Sequence, residues 1–241
     1  MLAAVRAIAY YVCVVFGITI LGFPYVIYHS YIHKNHRYRV TRICCGFFQK
    51  LFKIFGIKLV VEGRENIPQE SGFVMVSNHQ SFLDINVIFA AVSYTAFVAK
   101  ATLWKMPYFG WIMRRTRSIP VYRTDPRKNA GMGKTIAQNN AEGYNYCVFP
   151  EGKRAGDGVM FRFQNGIFRI AKQHPVKILP ITLINTGKVL PKTKLGLYPG
   201  EVRVVIHPVV NPEDYANMTM EELRDGLHDK IESALPYAQN F

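Results

Sequence analysis

The chain has 241 residues, 49% of them hydrophobic, which is ample for a domain with a sizeable core. Its net charge of +14 is uneven: residues 1–200 hold 27 Lys and Arg against 8 Asp and Glu, and residues 201–241 hold 3 against 8. The basic body indicates a polyanionic partner, which leaves nucleic acid, anionic lipid and phosphorylated substrates open. The four cysteines form no C-x-x-C pair, which argues against a disulfide scaffold and favours a reduced, cytosolic environment.

The first predicted element is an apolar segment. No Asp, Glu, Lys or Arg occurs between Ala7 and His33, and the 22-residue run AIAYYVCVVFGITILGFPYVIY approaches the length that crosses a bilayer. The run is longer than a signal-peptide core, and tyrosines near its ends are typical of an aromatic belt. Pro24 leaves two alternatives open, a full span and a shallow hairpin within one leaflet.

Basic residues follow this segment. Lys34, Arg37, Arg39 and Arg42 place that end on the cytoplasmic side by the positive-inside rule. The next stretch, VTRICCGFFQKLFKIFGIKLV, predicts a basic amphipathic helix that lies in the membrane interface. We therefore expect residues 1–56 to form a membrane-anchoring helical segment.

Three histidines near the N-terminus share one helical face: His29, His33 and His36. A metal site would need more ligands than the other, scattered histidines supply. We expect these residues to lie at the membrane interface, and we expect no metal in the protein.

After Gly56 the hydrophobic period changes to one of alternating strands and helices. Strands are predicted over 57–63, 72–77, 95–99, 117–122, 146–150, 176–184 and 201–210, and helices over 82–93, 103–114, 126–143, 164–173 and 219–233. Asp125 before Pro126 indicates a helix start, and Thr219 with Glu222 forms a capping box. The alternation predicts an α/β fold, a single domain over 57–241 with a mixed, largely parallel sheet flanked by helices.

Residues 76–86, VSNHQSFLDIN, place His79 and Asp84 where a strand turns into a helix. One interpretation is structural, since Ser81 and Asp84 fit the capping pattern [ST]-x-x-[DE]. The other is chemical: a carboxylate in the first helical turn can accept a hydrogen bond from one imidazole nitrogen and leave the other basic. The two interpretations are compatible, and the carboxyl edge of a parallel sheet is where α/β proteins bind ligands.

Several familiar sites are absent from the sequence. There is no G-x-S-x-G, which argues against an α/β-hydrolase, and GMGKT at 131–135 lacks the first glycine of a P-loop. No Ser or Cys near His79 resembles an activated nucleophile. The His79 and Asp84 pair is therefore predicted to act as a general base on a hydroxyl that the substrate carries.

Basic residues end three of the predicted strands. Lys100 ends FVAK, Arg123 ends PVYR, and Arg154 follows the turn Pro150–Glu151–Gly152. Arg154 offers a planar fork for phosphate, and Gly152 permits a tight turn. These positions predict an anion pocket beside His79.

Four blocks together resemble the glycerolipid acyltransferase family, which includes 1-acylglycerol-3-phosphate acyltransferases. They are NHQSFLD, then FVAKATLWKMPYFGWIMRRTRSIPVYR, then FPEGKR, then ILPITL, and they occur in the family's order between about Ile57 and Val210. Three details depart from the family pattern: Lys153 replaces the usual Thr, PVYR lacks an acid before its Arg, and RFQNGIF replaces F-K-x-G.

The resemblance implies transfer of a fatty acyl group from acyl-CoA or acyl carrier protein to the 2-hydroxyl of lysophosphatidate. It implies that His79 takes the hydroxyl proton and Asp84 orients it. It also implies that Lys100, Arg123 and Arg154 bind the acceptor phosphate in a pocket shaped by Glu151 and Gly152. No cofactor is expected beyond the acyl donor as cosubstrate.

The implied partners are membrane lipids and the acyl donor. The implied location is the inner, cytoplasmic membrane, with the active site facing the cytoplasm. Another lysolipid or glycerol 3-phosphate stays open as the acceptor. A membrane-tethered nucleic-acid-binding protein would also account for the charge, although no recognition motif is found and we expect no nucleic acid partner.

Overall fold

The computed structural model describes residues 1–22, 37–93, 95–155 and 159–238. These residues form a seven-stranded sheet in the order β1-β7-β6-β2-β5-β3-β4. The strands are β1 Ile57–Glu62, β2 Phe73–Ser77, β3 Ala96–Lys100, β4 Ile119–Val121, β5 Tyr146–Val148, β6 Lys177–Ile184 and β7 Gly200–Ile206. All neighbouring strands are parallel except β6 and β7. The predicted α/β fold with a mixed, largely parallel sheet is confirmed.

Helices alternate with these strands. They are α1 Leu2–Phe16, α2 Arg37–Ile54, α3 Leu83–Ala91, α4 Pro107–Arg115, α5 Met132–Ala141, α6 Gly166–Gln173, α7 Thr186–Val189 and α8 Met220–Glu232. A π-helical turn, Gly17–Gly22, follows α1. Short 3-10 turns cover Arg64–Asn66, Ala101–Lys105, Pro126–Asn129 and Pro212–Tyr215.

Helices cover both faces of the sheet. In β2 the side chains alternate, as they must in a strand: Phe73 and Met75 join the cluster that includes α2 and α3. Val74 and Val76 join the opposite cluster, with residues of α5, α6 and α8. Every residue of β2 is buried, and because both faces are covered the strand is apolar up to Ser77.

Two predicted helices are each divided in the structure. The helix predicted over 103–114 becomes a 3-10 turn and then α4, and α4 begins at Pro107, which has no N–H to continue the earlier turn. The helix predicted over 126–143 is interrupted at Gly131, whose φ of 81° is left-handed. Asp125 precedes Pro126 as predicted, but its side chain makes no capping hydrogen bond.

Two predicted strands are shorter than expected. Strand β7 ends at Ile206, just before Pro208, which cannot donate to a ladder. Strand β4 begins only at Ile119, since Arg117 has a left-handed φ of 55°. The capping box at the start of α8 is confirmed, because Thr219 Oγ accepts from the Glu222 N–H and the Glu222 carboxylate accepts from the Thr219 N–H.

The sequence predicted that the apolar face of α2 contacts lipid. In the structure, other parts of the protein cover most of this face. Phe48, Leu51 and Phe52 are almost fully buried and belong to the core cluster that contains β6 and β7. The helix packs against α3 and β1, so protein covers most of the face that the sequence assigned to the membrane interface. Ile54, at the end of α2, is 76% exposed and is not covered.

In the part of the chain that the structure describes, no helix has both the length and the apolar character needed to cross a bilayer. Pro24, Lys34 and the histidines at 29, 33 and 36 lie outside the described residues, as do the tyrosines at 25, 28 and 31. The membrane-anchoring segment and the division at residue 56 stay predictions. Ala7 and Tyr10 of α1 are fully buried in the same core cluster as the sheet residues.

Candidate active site

The site begins where β2 ends, because the side chain of Asn78 pairs with the neighbouring strand. Its amide nitrogen donates to the Leu183 carbonyl at 2.9 Å, and its amide oxygen accepts from the Leu183 N–H at 2.7 Å. These two bonds extend the β2–β6 pairing by one residue. They fix the point at which the chain leaves the sheet and presents His79.

His79 and Asp84 form a hydrogen-bonded pair, as the sequence predicted. The distance from His79 Nδ1 to Asp84 Oδ2 is 2.6 Å. The Asp84 side chain is fully buried, whereas the imidazole is 18% exposed. A carboxylate at Nδ1 favours the tautomer that carries a proton there, which leaves Nε2 as the basic nitrogen.

Asp84 also shapes the turn. Its Oδ2 accepts from the backbone N–H groups of Gln80 at 2.7 Å and Ser81 at 2.9 Å. Ser81 Oγ accepts from the Leu83 N–H and donates to the Leu190 carbonyl at 2.6 Å. The structure therefore supports both interpretations of Asp84: it orients His79, and it holds the start of α3 through the carboxylate half of the predicted capping box.

The imidazole rests on an aromatic ring that sequence reasoning did not single out. The rings of His79 and Phe149 stack at a centroid distance of 4.2 Å and an angle of 17°. Phe149 directly precedes the Pro150–Glu151–Gly152 turn, so the end of β5 supports the histidine from one side. The stack restricts rotation of the imidazole about χ2 and keeps the pair planar.

Glu151 is a structural support for the same turn. Its side chain is buried, and its two oxygens accept from the backbone N–H groups of His79 at 2.6 Å and Phe161 at 2.8 Å. The His79 carbonyl in turn accepts from the Ala155 N–H at 2.7 Å. The sequence assigned Glu151 to the substrate pocket. In the structure its carboxylate is turned inward and joins the turn that carries His79 to the loop that carries Phe161.

The predicted role of Gly152 agrees with its backbone. Gly152 has a φ of 71°, in the left-handed region where a side chain is strained. A Cβ at this position would meet only the Gln164 side chain, at 3.8 Å. Backbone conformation, rather than lack of space, therefore requires the glycine.

Arg154 lies beside the pair. Its guanidinium carbon is 3.9 Å from the centroid of the Phe82 ring. Phe82 directly precedes α3 and is 54% exposed. The Lys192 ammonium donates to the Arg154 carbonyl at 2.9 Å. Phe82 and Lys192 carried no signal in the sequence, because the contacts join residues from three separate loops.

Lys100 and Arg123 lie farther along the same edge. Strand order places β3 two strands and β4 three strands from β2, which corresponds to about 10 and 14 Å at the usual spacing of about 4.8 Å. Both residues are exposed at the carboxyl ends of their strands. The structure thus brings His79, Asp84, Glu151 and Arg154 together, and it leaves Lys100 and Arg123 at a distance.

The hydroxyl and thiol groups near His79 are not placed as nucleophiles. Ser77 and Ser81 donate to the backbone carbonyls of Asn78 and Leu190. Cys147 is fully buried in β5, and burial raises the pKa of its thiol well above the ordinary value. The arrangement of the histidine and aspartate is compatible with a base for an incoming hydroxyl, and that role stays a prediction.

A candidate metal-ligating group occurs elsewhere, within the described ranges. His228, Asp229 and Glu232 present ligand atoms within 4.8 Å of one another on α8. That helix packs against α6 and β6, not at the turn that carries His79. The His79 and Asp84 pair and the candidate metal ligands are thus separate features.

Comparison with known proteins assigns this fold to a family. The family model described as Acyltransferase matches residues 58–184. The chain is 33% identical over 235 residues to the chloroplastic 1-acyl-sn-glycerol-3-phosphate acyltransferase LPAT1 of Arabidopsis thaliana, covering 91% of this chain and 63% of that protein. It is 32% identical over 193 residues to a Pseudomonas aeruginosa 1-acyl-sn-glycerol-3-phosphate acyltransferase, covering 78% and 73%.

A solved structure gives the same result. The crystal structure of PlsC, the 1-acyl-sn-glycerophosphate acyltransferase of Thermotoga maritima, superposes with a TM-score of 0.79 at 28% identity. The match covers 95% of this chain and 93% of that chain. The chain spans about three fifths of the length of the first plant relatives it matches.

Proposed function

The chain belongs to the acyltransferase family, and on that premise we propose that it transfers a fatty acyl group from a thioester to the 2-hydroxyl of lysophosphatidate, giving phosphatidate. The observation that carries the proposal is the 2.6 Å bond between His79 and Asp84 at the carboxyl edge of the sheet, with Arg154 close by. The names of the relatives support lysophosphatidate as the acceptor.

In the proposed reaction, His79 Nε2 removes the proton from the acceptor hydroxyl as its oxygen attacks the thioester carbonyl. Asp84 stabilises the imidazolium that forms and holds its tautomer. The tetrahedral intermediate then collapses, the carbon–sulfur bond breaks, and the leaving thiolate takes the proton from the imidazolium. No covalent acyl-enzyme is required, which fits the absence of a placed nucleophile among the described residues around His79.

Acceptor binding is assigned to the cations. Arg154 precedes Ala155, whose N–H bonds the His79 carbonyl, and its fork suits a phosphate. Lys100 and Arg123 are proposed as outer phosphate contacts, which a lipid headgroup would meet as it enters along the edge. Glu151 and Gly152 shape the pocket by setting the path of the backbone, not by touching the substrate.

Positioning is expected to contribute more than proton transfer. A placed general base adds roughly 10²–10⁴-fold in rate. Holding the two substrates in a reactive geometry lowers the barrier by roughly 7–11 kcal/mol. The buried hydrogen bonds around His79 serve that second effect, because they hold the base in one orientation.

A membrane location is proposed because substrate and product are both lipids. Several apolar side chains of α1, three or four residues apart, are more than half exposed: Leu2, Val5, Ile8 and Val12. Such a stripe suits contact with a bilayer. We propose that residues 1–56 anchor residues 57–241 at the inner membrane, with the active site facing the cytoplasm.

The test is an assay of the purified protein with a panel of acceptors and both acyl carriers. Lysophosphatidate is expected to be the best acceptor, with other lysolipids and glycerol 3-phosphate turned over at lower kcat/KM. Preference for another lysolipid or for glycerol 3-phosphate would replace the proposed acceptor. Absence of transfer to every acceptor, from both acyl-CoA and acyl carrier protein, would contradict the proposal.

A further inference from the structure

A cleft of about 440 Å³ opens beside β4, the outermost strand on one side of the sheet, away from His79. Its walls are the outer side of β4, the 3-10 turn Pro126–Asn129 and the start of α5. Volumes of several hundred cubic ångströms are typical of sites for small ligands. None of the residues assigned to the acceptor or to proton transfer lines this cleft.

The end of the cleft nearest the carboxyl edge carries an aromatic ring and a cation. The Lys128 ammonium lies 5.7 Å from the centroid of the Tyr122 ring, and both residues line the cleft. Lys128 is paired with Asp125 only at 3.5 Å, and its side chain is 63% exposed. An exposed pair of this kind contributes little, so a phosphate with more charge than one carboxylate can displace it.

Hydrogen bonds hold this end in place. The Asn129 side chain accepts from the Tyr122 N–H at 2.9 Å and donates to the Tyr122 carbonyl at 3.0 Å. The amide thereby pairs with the backbone of the residue that directly follows β4. Lys128 and Tyr122 are consequently presented by a fixed turn.

The far end of the cleft is fixed as well. Arg117 is a non-glycine residue with a left-handed φ of 55°, a strained conformation for an L side chain. Its guanidinium donates to Asn139 and Glu142, and its carbonyl accepts from the Tyr146 hydroxyl at 2.8 Å. Glu142 pairs with the Arg117 guanidinium at 2.6 Å, whereas Asp125 lies 3.5 Å from the Lys128 ammonium, so Lys128 is the less tightly paired cation of the cleft.

The surrounding charge favours an anion. Residues 100–134 carry nine Lys and Arg and one acid, Asp125. The carboxyl end of β4 lies three strands from β2, about 14 Å at the usual strand spacing. The pantetheine arm of coenzyme A has a backbone about as long as four amino acid residues, and so it also reaches roughly 14 Å when extended.

We propose that this cleft binds the adenosine phosphate end of a coenzyme A thioester while the thioester carbon lies at His79. The phosphates would meet Lys128, and the adenine would lie along β4 against Ile119, Pro120 and Met132. An acyl carrier protein fits less well, because protein partners usually bury about 800 Å² a side, whereas this site is a small concavity. The inference rests on the proposed acyl transfer and names its donor.

The test compares Lys128→Glu with Lys134→Glu. Both variants make the same charge change within the same basic segment, but Lys134 does not line the cleft. Binding of coenzyme A alone is measured by calorimetry, with no acceptor present. Lys128→Glu is expected to weaken binding about tenfold or more, and Lys134→Glu less than about threefold, at unchanged melting temperature.

A second measurement uses two donors with the same acyl chain, palmitoyl-CoA and palmitoyl-pantetheine, which lacks the nucleotide. Lys128→Glu should raise KM about tenfold for palmitoyl-CoA and leave KM for palmitoyl-pantetheine unchanged. Equal effects on both donors, equal effects of the two variants, or unchanged coenzyme A binding would overturn the inference. Binding at this cleft without transfer to any lysolipid would support it, while the proposed function would fail.

Discussion

At the carboxyl edge of the sheet, the turn after β2 and the ends of β3 and β4 present their side chains in different ways. His79 is held by Asp84, by Phe149 and, through its backbone, by Glu151. Lys100 and Arg123 are exposed at their strand ends. The difference fits the two proposed tasks, because proton transfer needs a fixed geometry, whereas attraction of an anionic lipid does not.

The two regions also differ in burial, because two buried carboxylates support the turn that carries His79. Asp84 and Glu151 are almost completely buried, yet each accepts two or more hydrogen bonds, mostly from backbone N–H groups. Buried carboxylates with such partners stabilise one backbone path at a cost that the hydrogen bonds offset. The proposed catalytic turn is therefore expected to respond strongly to substitution, and the outer strand ends weakly.

Among the residues that support His79, the largest effect is expected for Asp84→Asn. The amide can still accept on one atom, but it no longer stabilises an imidazolium, so kcat should fall roughly 10²–10⁴-fold. Loss of the charged acceptor should also lower the free energy of unfolding by about 1–3 kcal/mol. Turnover and urea denaturation measure the two effects separately.

Ser81→Ala is the matched control for that variant. It removes hydrogen bonds from the same turn without touching the His79 and Asp84 pair, and it should cost about 1 kcal/mol of stability while kcat stays near normal. If Ser81→Ala abolished transfer to the same extent, Asp84 would act only through the helix start.

Glu151→Gln sharpens the distinction between support and substrate binding. An amide nitrogen would face one of the two backbone N–H groups, so the turn that carries His79 should shift and kcat should fall roughly 10- to 100-fold. The acceptor KM should change little. The exposed acid Glu62, changed to Gln, serves as the control. A rise in acceptor KM at unchanged kcat would restore the substrate-binding role that the sequence predicted.

Arg154→Ala tests the inner cation against the outer ones. We expect the acceptor KM to rise about tenfold and the donor KM to stay the same, since one charge-assisted contact is lost. Lys177→Ala removes a cation at the amino end of β6, at the other end of the strands from the carboxyl edge. It should leave the acceptor KM and the donor KM unchanged. Equal increases for acceptor and donor would show that Arg154 does not distinguish between them.

The smallest effect is expected at His207, away from this edge. Burial, with a further contribution from Lys230, lowers the pKa of His207 from 6.5 to about 4. Its Nε2 lies 2.8 Å from Thr182 Oγ, which itself donates to the Ile231 carbonyl, so the neutral ring donates. The unfolded chain binds a proton between these pH values and the folded chain does not. The contribution of the neutral His207 ring to the free energy of unfolding is therefore complete above pH 6.5 and declines as the pH falls towards 4.

His207→Gln should flatten that pH dependence. Since the ring is partly exposed, we expect a difference between variant and parent of only about 1–2 kcal/mol over this pH range. Urea denaturation at pH 7.5 and at pH 4.5 measures it. Parallel losses of stability in both proteins would mean that other groups control the acid transition.

Much of this architecture follows from local sequence. The apolar run that forms β2 and the spacing of His79 and Asp84 depend on neighbouring residues, and the structure contains both the predicted strand and a hydrogen bond between the two side chains. The breaks at Pro107 and Gly131 are also local features, but the surrounding helical periodicity concealed them. The burial of the α2 face depends on packing against α3, which no local pattern encodes.

The site was harder to predict wherever strand order matters. Lys100 and Arg123 end strands that follow β2 in the chain, but β5 is inserted between β2 and β3 in the sheet. That insertion moves both cations outward and brings Glu151 and Arg154 inward. The sequence predicted basic residues at this edge, but it could not order them by distance from His79.

Whether His79 is the base is tested by turnover of purified His79→Ala with lysophosphatidate and an acyl thioester. We expect a rate roughly 10²–10⁴-fold below that of the parent protein, with the melting temperature and vesicle binding unchanged. Near-normal turnover in the same sample would show that His79 is not the base.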